Sequence, residues 1–177
     1  MKADQSYLYV RFMDITYLID RNSGCIKKTA DNVTFAEDNS YDTTLSLFDY
    51  LCLSQEECQL SGKWINMQEM GHMIHANLLE GKGDIFAKEA KLFEAHKEEL
   101  EKACKYLNGK KMPTGDVSYI LDLFDEVPLY FQFWDGDEEF PPQFRFLWDT
   151  NTNQYLHYDA LFNIVNMFLN RLKEIIN

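Results

Sequence analysis

The 177-residue chain contains no run approaching the roughly 18 consecutive apolar residues of a membrane-spanning helix. Asp4, Gln5 and Ser6 stand where a secretory leader would need its apolar core, so neither a membrane span nor export is expected, and the location expected is cytoplasmic. Cysteine is sparse. Cys25, Cys52, Cys58 and Cys104 are scattered, with no CxxC spacing to hold an iron–sulfur cluster, and in a cytosolic chain they read as reduced core thiols. Basic residues are scarce too: 17 Lys and Arg stand against 29 Asp and Glu, giving a formal charge of -12 and a pI near 4.7. So negative a surface repels phosphate backbones and anionic headgroups, which disfavours nucleic acid and membrane and leaves basic protein surfaces or cationic small molecules as fitting partners. A nucleophile elbow, a phosphate loop and strong metal-ligand spacing are all missing, so the sequence names no reaction and no cofactor.

What is present is apolar and aromatic. With 46% hydrophobic and 15% aromatic residues, the chain can form one domain over 1–177 and bury roughly 70% of its unfolded surface. The most unusual stretch is Trp134 to Asp149, WDGDEEFPPQFRFLWD. If Pro128 to Trp134 is a strand, Leu129, Phe131 and Phe133 point one way and Tyr130, Gln132 and Trp134 the other. Gln143 to Asp149 repeats the alternation, with Phe144, Phe146 and Trp148 on its aromatic face and Gln143, Arg145, Leu147 and Asp149 on its mixed one. Between them, Asp135-Gly136-Asp137 is turn chemistry, in which glycine accepts positive φ and short carboxylates bond nearby amides. Pro141-Pro142 delays the return strand. The expected product is a hairpin with a long acidic tip, anchored at both ends by Trp134 and Phe140 in the aromatic core.

Elsewhere, alternation predicts strands at Tyr7 to Phe12 and Ile15 to Ile19, then Cys25 to Thr29 and Val33 to Ala36, making an N-terminal meander. Asp42 is the expected cap of a helix that turns Leu45, Phe48, Leu51 and Cys52 inward. Asn66 with Glu69 resembles a capping box. Asp84 should cap a helix burying Phe86, Ala90 and Phe93, and a second run to Asn108 should bury Leu100, Ala103, Cys104 and Leu107. Val117 to Phe124 supplies a third strand to the aromatic unit. From Asp159, the stripe Leu161, Val165, Phe168, Leu172, Ile176 marks an amphipathic C-terminal helix able to cover the phenylalanines. The fold class expected is α+β, with an antiparallel sheet formed by the meander and the aromatic three-stranded unit and packed by helices.

Ser61-Gly62-Lys63-Trp64-Ile65, Gly115-Asp116, Pro128-Leu129, the run WDGDEEFP from Trp134 to Pro141, and Leu147-Trp148-Asp149 before a final amphipathic helix together resemble an uncharacterised bacterial family. It is the domain-of-unknown-function family numbered three-seven-eight-six, and the resemblance spans most of the chain, including the strands at Val10 to Ile19. The resemblance implies an origin among anaerobic bacteria and carries over no activity. His157-Tyr158 stands where the family pattern would have a proline–acid pair, and Trp148 where phenylalanine is commoner.

Several groups invite a chemical reading. Asp135, Asp137, Glu138 and Glu139 could hold a hard cation, although six to eight oxygen ligands are required and an acidic tip without one is the commoner case. Asp149, Asn151 and Asn153 imitate the first ligands of a calcium loop, but Gln154 replaces its glycine and Ala160 its bidentate glutamate. His72 and His75 would share a helical face, and zinc would need two further ligands. Cys58 or Cys104 could pair with a histidine, yet a buried apolar thiol is inert. On the mixed hairpin face, Tyr130, Gln132, Trp134 and Arg145 form a ligand or partner surface beside Asp135, Asp137 and Glu138. The structural alternative has Arg145 pairing with Asp135 or Glu138 to pin the loop. The reading favoured is a non-catalytic binding or protein-interaction module; the competing one is a small-molecule or metal-dependent enzyme using loop 135–139 and the adjacent face.

Overall fold

In a computed structural model, which describes residues 2–70 and 85–176, two antiparallel sheets and a set of helices build an α+β fold. The first sheet runs in sequence order: β1 (Lys2–Ala3), β2 (Tyr7–Phe12), β3 (Ile15–Asp20), β4 (Ile26–Thr29) and β5 (Ala36–Glu37). Its central turn is a two-residue connection between the paired Phe12 and Ile15, and Met13 takes the left-handed conformation that this turn demands. The expected strand at Val33 to Ala36 shrinks to the two residues of β5. Asp31 takes the backbone N–H groups of Val33 and Thr34 into a tight turn instead, and a carboxylate that offers amides an alternative partner competes with the ladder.

The second sheet holds the aromatic unit: β8 (Val117–Phe124), β9 (Val127–Trp134) and β10 (Gln143–Asp149), extended at its edges by β6 (Trp64–Asn66) and β7 (Lys110–Lys111) in the order β6-β10-β9-β8-β7. The sequence patterning reached three of these five strands; β6 and β7 are too short to show a period. Both halves of the predicted alternation hold, with Leu129, Phe131 and Phe133 fully buried and Phe144, Phe146 and Trp148 facing the same core.

Helices close that face. α3 (Ala87–Glu94) sets Phe93 edge-on to Phe144, centroids 5.7 Å apart, and Phe86 just before it does the same to Phe146 at 5.2 Å. α4 (Lys97–Tyr106) buries Leu100, Ala103 and Cys104, and the C-terminal helix α5 (Tyr158–Ile176) drives Phe168 against Phe131 at 5.3 Å. α2 (Met67–Met70) follows β6 directly, where the Asn66–Glu69 pattern placed a short helix. Asp84, the expected cap of α3, lies outside the described residues.

α1 (Tyr41–Leu53) departs from its expected orientation. Ser40, not Asp42, is its N-cap, accepting from the Thr43 backbone N–H. The inward face is Thr43, Ser46, Leu47, Asp49 and Tyr50, whereas Phe48 and Cys52 face solvent. Polar positions win because each has a partner: Thr43 donates to Asp38, Ser46 accepts from Asn163, and Asp49 accepts from the His157 backbone N–H at 2.8 Å. Hydrophobicity alone mispredicts a face whose hydroxyls and carboxylate are satisfied. Cys52 is accordingly an exposed thiol and Cys25 and Cys58 are half-buried; only Cys104 is the core thiol expected of all four.

Where the sheets meet, Phe12 stacks on Phe124 at 4.5 Å and Tyr50 stacks on its other side at 4.2 Å. The Met13 backbone N–H donates to the Leu123 carbonyl, so the turn of the first sheet is bonded to a strand of the second. Among the described residues the buried apolar side chains form one cluster from Val10 to Leu172, and no helix is long and apolar enough to cross a membrane.

Candidate functional site

The mixed face of the second sheet follows from its register. Ser118, Gln132 and Arg145 form one row across β8, β9 and β10; Ile120, Tyr130, Leu147 and Asn66 form the next; Trp134 pairs with Gln143 and Asp149 with Trp64 at the two ends. The described helices pack on the opposite, phenylalanine face. Tyr130 and Gln132 are nonetheless buried, because the segment after β7 folds back over them. Met112 donates its N–H to the Ser118 carbonyl and Asp116 to the Phe133 carbonyl. Gly115, at φ +83°, lies so close that a β-carbon there would sit 3.0 Å from the Phe133 oxygen and 3.5 Å from the Trp134 ring. Burial works against the Tyr130 phenolate, but hydrogen bonds from Thr114, Gln132 and Ser118 outweigh it and leave the phenol more acidic than usual.

Arg145 does not pin the acidic loop. Its guanidinium lies over the Trp134 ring, 5.6 Å from the centroid, it remains exposed, and it has no carboxylate partner among the described residues. Beside it, Trp64 meets Tyr130 edge-on at 5.4 Å. Lys97 on α4 takes the pinning role: its ammonium pairs with Asp135 and lies 3.9 Å from Asp116. Opposite charge raises the pKa of Lys97, chiefly through the hydrogen bond to Asp135. The sequence offered no signal for this, since Lys97 lies 38 positions from Asp135.

The tip itself is a built turn. Asp135 donates its backbone N–H to Asp116 Oδ2 at 2.8 Å, and Asp137 Oδ1 accepts from the backbone N–H groups of Glu139 and Phe140, both at 2.8 Å. Those bonds, from Phe140 and then Glu139, hold the Asp137 carboxyl below its usual value. Gly136 is needed for close approach and not for positive φ, since a β-carbon there would come within 2.9 Å of Pro142 Cδ. Phe140 is not an anchor: it is 61% exposed on the turn that Asp137 closes, and the loop is held instead through Asp135, by Lys97 and Asp116. Asp137, Glu138 and Glu139 are exposed around it.

Among the described residues no three His, Cys, Asp or Glu side chains are grouped to hold a metal ion. His72 and His75 lie outside those residues. Asp149 is buried and fully used inside the protein, accepting from the Ser61, Gly62 and Asn151 backbone N–H groups at 2.7 to 2.9 Å. Burial opposes its ionised form, yet these bonds prevail and lower its pKa. Asn153 points to solvent and Ala160 into the core, so the calcium-like spacing is not a ligand set. The Cys58 thiol donates to the carbonyls of Gln55 and Gln154, and burial in the core raises the pKa of Cys104 far above the ordinary thiol value, so neither is placed as a nucleophile beside a described histidine.

The scattered signature stretches therefore meet in pairs. Ser61-Gly62 is clasped by Asp149, Lys63 and Trp64 run beside β10, and Gly115-Asp116 closes over Trp134 and Asp135. The model of the family described as domain of unknown function (DUF3786) matches residues 1–171, and the chain belongs to that family. No curated protein and no solved structure matches it.

Proposed function

Starting from membership of a family that carries no assigned activity, we propose that the protein is a non-catalytic interaction module whose contact surface is the uncovered part of the second sheet's mixed face, Arg145, Trp134 and Trp64, together with the acidic tip. The observation that carries this reading is Arg145, exposed over the half-buried Trp134 ring, with half-buried Trp64 on the same face of the sheet. Tryptophan, tyrosine and arginine are the residue types that dominate binding energy at protein interfaces. Next to them the tip presents Phe140 within three exposed carboxylates on a hydrogen-bonded turn, so little loop entropy remains to be lost on binding. A partner with a basic patch beside an apolar or aromatic contact complements both parts. The competing reading, an enzyme using loop 135–139, gains no support from ligand geometry among the described residues.

The test is affinity capture with quantitative mass spectrometry, comparing wild type with the Arg145→Ala and Trp64→Ala variants. Proteins held through this face should be depleted about 30-fold or more by each change, the size of a hot-spot loss of about 2 kcal/mol. A retained small molecule seen by native mass spectrometry, lost in the same variants while captured proteins are unchanged, overturns the reading in favour of a ligand site.

A further inference from the structure

α1 is built inside out. Its buried side carries Thr43, Ser46 and Asp49 beside Leu47 and Tyr50. Asn163 of α5 donates to Ser46 Oγ at 2.9 Å and to the Asp42 carbonyl at 3.0 Å, and the His157 backbone N–H donates to Asp49, so the polar side is held inward by its partners. The apolar period of the sequence is left outside. Tyr41 is 77% exposed and Phe48 36%, Cys52 is exposed, and Leu45, half-buried, stands apart from the core cluster that Leu51 joins. Leu53, also exposed, extends the end. Tyr41, Leu45, Phe48 and Cys52 follow the i, i+4, i+7, i+11 spacing of a helix–helix seam and run for roughly 16 Å along one side of the helix. Single exposed apolar residues are ordinary on a protein surface; four in register with the helix repeat make a stripe.

We propose that this outer face of α1 is the docking site of an amphipathic helix from a partner protein, one whose own apolar stripe is flanked by lysine or arginine. A helix fits because α1 bonds its backbone internally and offers only ridges of side chains, so an extended segment would find no partners there for its amides. The charge decides the flanks. Between Lys28 and Lys63 the sequence holds seven acidic residues and no basic one. Of these, Asp42 stands exposed in the first turn of α1, and Glu56 and Glu57 stand exposed just beyond its end, so the stripe has carboxylates at both ends. A second copy of the chain would set Asp42 against Asp42 or against Glu56 and Glu57, according to its direction, and an anionic bilayer would be repelled in the same way. A basic helix meets attraction at both ends and buries the stripe between them. The inference uses none of the residues of the Arg145 surface and holds or fails without it.

The probe is a helical peptide of about 18 residues, long enough to hold its helix, with leucine at i, i+4, i+7 and i+11 and lysine at the flanking positions; its counterpart carries glutamate for lysine. Each is titrated into the full chain and followed by NMR. Saturable amide shifts along Tyr41 to Leu53 are expected with the lysine peptide and much weaker ones with the glutamate peptide. Phe48→Ser should weaken lysine-peptide binding about tenfold or more, and Tyr41→Ser, at the most exposed position of the stripe, makes the same test without touching the core. The triple variant Asp42→Asn, Glu56→Gln, Glu57→Gln should abolish the preference for lysine over glutamate, while Arg145→Ala should change neither titration. Thermal unfolding shows which variants are folded. Absence of saturable shifts in α1 up to about 1 mM peptide, equal binding of the glutamate peptide, shifts confined to the acidic tip, or an unchanged affinity in folded Tyr41→Ser overturns the proposal. So does a dimer in analytical ultracentrifugation, or binding to phosphatidylglycerol vesicles, that Phe48→Ser and Tyr41→Ser each abolish, since the stripe would then belong to a second copy or to a membrane.

Discussion

Phe140 and Asp149 show how little a residue's type says about its burden. Phe140, an aromatic followed by two prolines, is mostly solvent-exposed. Phe140→Ala should therefore change the unfolding free energy measured in urea by less than about 1 kcal/mol, whereas Phe131→Ala, at the centre of the sheet, should cost about 3 to 5 kcal/mol. Asp149, a charged residue in an apparent ligand series, is a buried clasp for Ser61 and Gly62. Its pKa is lowered in the folded state, so its contribution to stability is present above the unfolded value near 3.8 and is lost as pH falls through the folded one. Unfolding measured at about pH 5 and about pH 3 should show a smaller acid-induced loss in the Asp149→Asn variant than in wild type. The sequence could not assign the Asp149 role, because Asp149 and its partner Gly62 are 87 positions apart.

Among elements, the ones with long periods were legible and the ones decided by single contacts were not. The alternation of β9 and β10 and the stripe of α5 each repeat often enough to fix a face, and the structure buries Leu161, Val165, Phe168 and Leu172 as the pattern required. α1 failed because its buried side includes Thr43, Ser46 and Asp49, whose partners lie on other elements. Ser40→Ala should destabilise the protein by about 1 kcal/mol through loss of the helix cap, while Asp42→Ala should leave thermal stability nearly unchanged. The acidic hairpin tip was recognisable as a turn, but its bracing by Lys97 was not. Lys97→Met should leave the unfolding free energy within about 1 kcal/mol of wild type, since the pair is partly exposed. It should also speed hydrogen exchange at the amides of Asp135 and Gly136, which is where a loosened tip would be read.

At the scale of the whole molecule, class and family were both legible: α+β from the mixture of periods, and DUF3786 from short stretches that the fold then brings together. The division into two five-stranded sheets was not, since nothing local distinguishes one sheet of many strands from two that share a core. Around the acidic loop the connections were not legible, because the pairing with Asp135 that the sequence offered to Arg145 is made by Lys97.

The bond from Met13 to Leu123 and the stacking of Phe12 on Phe124 also set a timetable. During synthesis the first sheet's strands leave the ribosome long before the strand that shelters them. At roughly 5 to 20 residues per second, Phe124 follows Phe12 by about 6 to 22 seconds. Throughout that interval Val10, Phe12 and Tyr17 have no core to enter, and the nascent meander is a ready client for a chaperone that recognises exposed aromatic strands. A ribosome arrested before β8 should carry a protease-sensitive N-terminal segment, and one arrested after α5 has emerged should carry a resistant one.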